Sequence, residues 1–105
     1  MIGFFKKLLG FGPSVNYKEL MENGAVIIDV RTKGEFAGGH IKGSTNIPVN
    51  QLASNLGKFK NKENAIITCC ASGARSGAAK RLLISSGYTN VHNGGSWYSL
   101  RNKIS

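Results

Sequence analysis

Cys70 stands where one kind of sequence ends and another begins. Ahead of it runs Ala65-Ile66-Ile67-Thr68-Cys69, apolar and β-branched. Behind it come the small residues Ala71, Ser72, Gly73 and Ala74, then Arg75 and Ser76. The first run reads as a buried strand. Further on, Ala78, Ala79, Leu82 and Leu83 fall on one side of a helix. The spacing therefore predicts a strand, a short loop and a helix, with a thiol at the strand's end. Such a loop can turn successive backbone N–H groups towards an anion and aim a helix N-terminus at it. The same positive end lowers a thiol's pKa and makes it a nucleophile. The expected chemistry is thiolate attack on a small or anionic substrate. Cys70 is the expected nucleophile, and Ala71, Ser72, Gly73, Ala74 and Arg75 are the expected substrate loop.

The elements that must position this loop alternate along the chain. Val15 fits a short first strand. Asn16 or Ser14 can cap a helix over 17–22, closed by Asn23-Gly24. Residues 25–30, apolar almost throughout, read as a strand covered on both faces. A short helix over 33–37 ends at Gly38-Gly39, and a short strand lies at 45–47 before Pro48. The pattern then predicts a helix over 50–56, a polar loop over 58–64, the strand over 65–69 and a helix over 76–86. A final strand at 88–92, a Gly94-Gly95 turn and a helix over 96–103 complete it. Alternating strands and helices imply a mostly parallel α/β sheet. Ligands of such sheets sit at the carboxyl ends of the strands, where both Asp29 and Cys70 fall.

The 105 residues suffice for one small domain. Residues 1–13 differ in composition and form a separate N-terminal arm, amphipathic or loose, ahead of a domain at 14–105. On a helical wheel Ile2, Phe4, Phe5, Leu8, Leu9 and Phe11 oppose Lys6 and Lys7. Gly3 and Gly10 weaken a free helix there, so the arm is expected to cover its own domain, and membrane contact through residues 1–12 is the less favoured reading. Fourteen Lys and Arg against five acidic residues give a net charge of +9, a field that draws anions of every kind. The basic residues are scattered and lack the motifs or aromatic interleaving of a nucleic-acid binder, so no nucleic-acid partner is expected. Adjacent free cysteines suit a reducing compartment, and the expected location is cytoplasmic. Cys69-Cys70, His40 and His92 lack paired-ligand spacing; no metal and no cofactor are expected.

Four stretches in order carry a resemblance to a known family: Ile28-Asp29-Val30-Arg31; Glu35-Phe36 with Gly39 to Ser44 and Asn46-Ile47-Pro48; Cys70 to Ser76; and Gly87-Tyr88-Thr89-Asn90-Val91 leading to Gly94-Gly95 and Trp97. Together they resemble the rhodanese-like, or sulfurtransferase, domain over roughly residues 14–103. The resemblance implies a three-layer α/β fold with a five-stranded, mostly parallel sheet flanked by helices. It also implies a cysteine that accepts sulfane sulfur as a persulfide and passes it on. The partners would be a small anionic sulfur donor such as thiosulfate, or a protein persulfide, with a thiol or cyanide as acceptor. The alternative is a rhodanese-like sulfur carrier or interaction module without turnover of its own.

Two cysteines leave two registers. From Cys70, Arg75 closes a six-residue loop, the length that resembles sulfurtransferases. From Cys69, it closes the longer Cys-x5-Arg loop that resembles cysteine-based phosphatases. Strand alternation sends the two side chains to opposite faces, and Cys70 is the one that matches the family's cysteine. Cys69 is then a small buried residue. Arg75 either contacts substrate or ties the loop to an acidic residue such as Glu35. Ser72 and Ser76 can donate to a bound anion, Ser76 alternatively as a helix cap. Asp29 and Arg31 are expected to fix turns, His40 to be structural, and Trp97 to be core or pocket wall.

Overall fold

The computed structural model describes residues 15–105; the expectations for the arm at 1–13, and Ser14 as a cap, lie outside them. Helix α1 covers Tyr17–Glu22. Asn16 caps it, its side-chain oxygen accepting from the Glu19 N–H at 3.0 Å. Strand β1 is Val26–Asp29 and helix α2 is Lys33–Ala37. Strand β2 is the short Thr45–Asn46, followed by two 3-10 segments, Val49–Gln51 and Ala53–Lys58. Strand β3, Ile66–Cys70, leads into helix α3, Ala74–Ser85. Strand β4, Val91–Ser96, leads into helix α4, Trp97–Ile104.

The four strands lie in the order β2-β1-β3-β4, and all pairings are parallel. On one face Ile28, Val30, Ile66 and Cys70 pack with Ala79 and Leu83 of α3, with Leu52, and with Tyr88. On the other, Ile27, Ile67 and Cys69 pack with Leu100 of α4 and with Tyr17, Leu20 and Met21 of α1. Three layers result, with β1 and β3 at the centre. That explains why 25–30 and 65–69 read as continuous apolar runs rather than alternating ones. Each fully buried Ile or Leu in these layers contributes roughly 1.5–3 kcal/mol.

Four expectations are corrected. The described residues hold four strands, not five: Val15 is 41% exposed, pairs with no strand and sits directly before the α1 cap. The helix expected over 50–56 is 3-10 turns instead, because only Leu52 there is fully buried and a short run with so little packing does not propagate an α-helix. Strand β4 lies further along than expected and absorbs Gly94-Gly95, since pairing with β3 overrides its polar, glycine-rich composition. Helix α3 begins at Ala74, two residues ahead of the expected start.

Candidate active site

Strand β3 delivers Cys70 to the carboxyl edge of the sheet, next to the β3–β4 irregularity between Thr68 and Cys70. Cys69 and Cys70 face opposite layers. The chain then reverses through Ala71 and Ser72 to Gly73, the N-cap of α3. Gly73 has φ 106°, a left-handed conformation that costs a side-chain-bearing residue energy and glycine little. The turn directs two backbone donors at the sulfur. The Gly73 N–H lies 2.9 Å from Cys70 Sγ and the Ser76 N–H 3.4 Å. Ser76 Oγ is also 3.4 Å from the sulfur.

These contacts decide the thiol's acidity. Burial pushes the Cys70 pKa up, but the Ser76 hydroxyl, when its hydrogen turns to the sulfur, and the N–H groups of Ser76, Gly73 and Ser72 bring it below its ordinary value. For Cys69, one residue earlier, burial and then the Asp29 carboxylate raise the pKa to about 12. The two adjacent thiols are therefore driven apart, and only Cys70 has a cradle for an anion. Cys70 itself is 0% exposed. Ala71, Ser72 and Ala74 of the loop that follows it are exposed.

Arg75 does not point an unpaired charge into the loop. Its two terminal nitrogens donate to the two oxygens of Glu35 at 2.8 and 3.0 Å. Glu35 Oε1 also accepts from the Thr32 N–H at 2.9 Å, the reciprocal half of the box that caps α2. A buried pair stands beneath it. Arg31 binds the Asp29 carboxylate through Nε and Nη2, donates to the carbonyls of Glu35 and Gly39, and stacks 4.6 Å from the Trp97 ring. Asp29 and Arg31 thus fix the β1–α2 turn, and Trp97 is the wall against which Gly39 packs. His40 lies outside the loop, its Nδ1 bonded to the Phe36 carbonyl and its ring stacked on Phe36. Ser76 is not the cap but sits, fully buried, in the first turn of α3.

Sequence reasoning missed Asn93. Its Oδ1 accepts from Ser76 Oγ at 2.6 Å and from the Gly95 N–H at 2.9 Å, and its Nδ2 donates to the Gly73 carbonyl at 3.3 Å. The Tyr17 hydroxyl donates to its backbone carbonyl. The only signal was a polar amide two residues after Val91 in a stretch read as loop. A hollow of about 290 Å³ bounded by Leu56, Phe59, Lys60, Lys62, Ser86 and Tyr88 contains none of the cysteine-loop residues. Among the described residues no cluster of His, Cys, Asp or Glu could hold a metal, and no helix is long and apolar enough to cross a membrane.

The family model for the rhodanese-like domain matches residues 15–99, from α1 into α4. The chain belongs to the rhodanese-like family. It is 38% identical over 69 residues to the uncharacterized protein YqhL of Bacillus subtilis, covering 66% of this chain and 54% of that protein. It is 33% identical over 69 residues to the thiosulfate sulfurtransferase PspE of Escherichia coli, covering 65% and 66%. A solved structure, a rhodanese with anions from E. coli, superposes with a TM-score of 0.69 at 30% identity, covering 72% of this chain and 91% of that one. The matches thus span less than two thirds of the first two relatives' own lengths.

Proposed function

We propose that this rhodanese-like domain is a sulfurtransferase that moves sulfane sulfur from thiosulfate or a persulfide donor to a thiophilic acceptor through a Cys70 persulfide. The observation that carries the reading is the pair of backbone donors on Cys70 Sγ, at 2.9 and 3.4 Å, at the start of a twelve-residue helix. With the 71–74 segment moved aside, the Cys70 thiolate attacks the outer sulfur of thiosulfate. The sulfur–sulfur bond breaks and sulfite leaves with its electron pair. When the segment returns, the N–H groups of Gly73 and Ser76 that flank the sulfur stabilise the charge of the resulting persulfide anion. Attack on that terminal sulfur by a thiolate or cyanide returns the electron pair to Cys70. Each half-reaction leaves one anion in the loop, and the same donors serve both.

The choice of donor follows from charge. Residues 71–74 carry no cation, and Arg75 is already matched by Glu35. A dianion such as thiosulfate gains less here than in a loop with a free cation, whereas a persulfide of lower charge loses little. This favours a persulfide donor over thiosulfate and gives the second reading, a carrier loaded by a partner, its physical basis.

Intact mass after incubation with thiosulfate, and separately with a low-molecular-weight persulfide, tests the proposal. The expected result is a gain of one sulfur that dithiothreitol removes and that Cys70→Ser abolishes. No gain from either donor would sink the sulfurtransferase reading. Loading by persulfide, with negligible thiosulfate:cyanide turnover, would select the carrier.

A further inference from the structure

The Ser76 hydroxyl has one hydrogen and three neighbours. Asn93 Oδ1 lies at 2.6 Å, the Gly73 carbonyl at 3.1 Å and Cys70 Sγ at 3.4 Å. The first two are acceptors only. Asn93 presents its oxygen and not its nitrogen, because the same atom accepts from the Gly95 N–H at 2.9 Å while Nδ2 faces the Gly73 carbonyl. The shortest contact takes the hydrogen, so Ser76 turns lone pairs towards the sulfur. That arrangement suits a protonated thiol, whose S–H can donate to Ser76 Oγ. It does not suit a sulfur anion, which needs the hydrogen to swing round from Asn93.

We propose that Asn93 is a positioning residue for Cys70: by holding the Ser76 hydroxyl hydrogen it decides whether that hydroxyl accepts from the thiol or donates to the sulfur anion. Asn93 touches neither sulfur nor substrate; it reaches the sulfur through the Ser76 hydroxyl, while its Nδ2 braces the Gly73 carbonyl. It sits on β4, across the sheet edge from the loop, and its backbone carbonyl is tied to α1 by Tyr17. The charges on the elements around Cys70 do not compete for this role. Asp29 and Arg31 at the end of β1 are paired with each other, and so are Glu35 on α2 and Arg75 on α3. On β3 itself Cys69 faces the other layer, and His92 of β4 is bonded to Asn90.

The role predicts a sign opposite to that of a loop support. Removing a mere support loosens the cradle and raises the thiol's pKa. Removing Asn93's grip leaves only the longer contact to the Gly73 carbonyl, at 3.1 Å, to compete with the charged sulfur for the Ser76 hydrogen, and lowers it. The inference rests on the assignment of Cys70 as nucleophile, but its test needs no sulfur donor. The rate of iodoacetamide alkylation of Cys70 is followed against pH on the full chain in a Cys69→Ala background. In Asn93→Ala the midpoint is expected to fall by roughly one pH unit, the worth of one hydrogen bond to a charged group. Asn93→Ser, whose shorter side chain withdraws the acceptor, carries the same expectation and serves if the alanine variant does not fold. Asn93→Asp keeps the acceptor and adds negative charge, so its midpoint does not fall. In a Ser76→Ala background, Asn93→Ala does not lower the midpoint. A midpoint that rises or stays in both Asn93→Ala and Asn93→Ser overturns the inference, and so does an equal shift with and without the Ser76 hydroxyl. Absence of persulfide formation alongside the expected alkylation shifts would sink the sulfurtransferase reading and leave this one standing.

Discussion

Arg75 and Glu35 meet face to face, two nitrogens on two oxygens at 2.8 and 3.0 Å, and so join the first turn of α3 to the cap of α2. The geometry needs a planar fork, which an ammonium lacks. Arg75→Lys is therefore expected to slow sulfur loading of Cys70 several-fold although charge is kept, and Glu35→Gln is expected to slow it by a similar factor. The double variant should be little worse than either single one, because both remove the same brace. Rates of mass gain measure this. If Glu35→Gln instead speeds loading by thiosulfate, the freed guanidinium is a substrate contact and the brace is incidental.

The same pair gives a pH dependence. Arg75, and after it the Thr32 N–H, hold the Glu35 carboxyl at about 2 instead of 4.5. A depressed folded-state value means that the stabilisation is present above the ordinary carboxylate pKa and is lost as pH falls from 4.5 through about 2. Both side chains are more than a third exposed, so the effect is small and screened by salt. Melting temperatures of the wild type and Glu35→Gln should differ slightly near neutrality and converge as pH falls through that window. A gap that persists at the acid end would assign the loss to packing of the glutamine.

The sequence foretold the features with strong local signals. The apolar runs around Ile28 and Ile67 reveal the central strands because both faces are covered. Alternation separates Cys69 from Cys70, and Gly73 marks the tight turn. Illegible was whatever depends on pairing between distant segments. The second half of β4, beyond the strand expected at 88–92, reads as a turn until β3 supplies its hydrogen bonds, and with that half misplaced Asn93 had no reason to meet Ser76, seventeen residues earlier. Arg75 left two readings open because choosing between them required knowing how α2 lies against α3.

Cys69 and Cys70 should part in function as they do in space. Cys70→Ser is expected to abolish sulfur loading in a folded protein. Cys69→Ser places a hydroxyl in an apolar layer among Ile27, Ile67 and Leu100, at a cost of about 1–3 kcal/mol, with loading largely retained. Denaturant unfolding and mass gain, measured on both variants, separate the two effects. Loss of loading in a well-folded Cys69→Ser, with Cys70→Ser still active, would move the nucleophile to Cys69 and restore the longer loop register.

Gly94 shows why β4 is glycine-rich where it crosses the core. A Cβ built there would lie 2.9 Å from Ile67 Cγ2, 2.9 Å from Leu100 Cδ2 and 3.0 Å from the Thr68 carbonyl oxygen. The side chains can shift, but the carbonyl belongs to the central strand and cannot yield without moving the sheet. Gly94→Ala is expected to cost about 1–3 kcal/mol by overpacking. Since Gly94 lies between Asn93 and Gly95, pushing the chain outward also draws the Asn93 oxygen away from Ser76, so the Cys70 alkylation midpoint should fall in this variant as well. Shortening Leu100 to alanine removes one of the three clashes, and Gly94→Ala should then cost less than in the wild type. Additive losses in the double variant would mean that the Thr68 carbonyl and Ile67 alone set the cost, and that the close approach of β4 is fixed by the sheet rather than by α4.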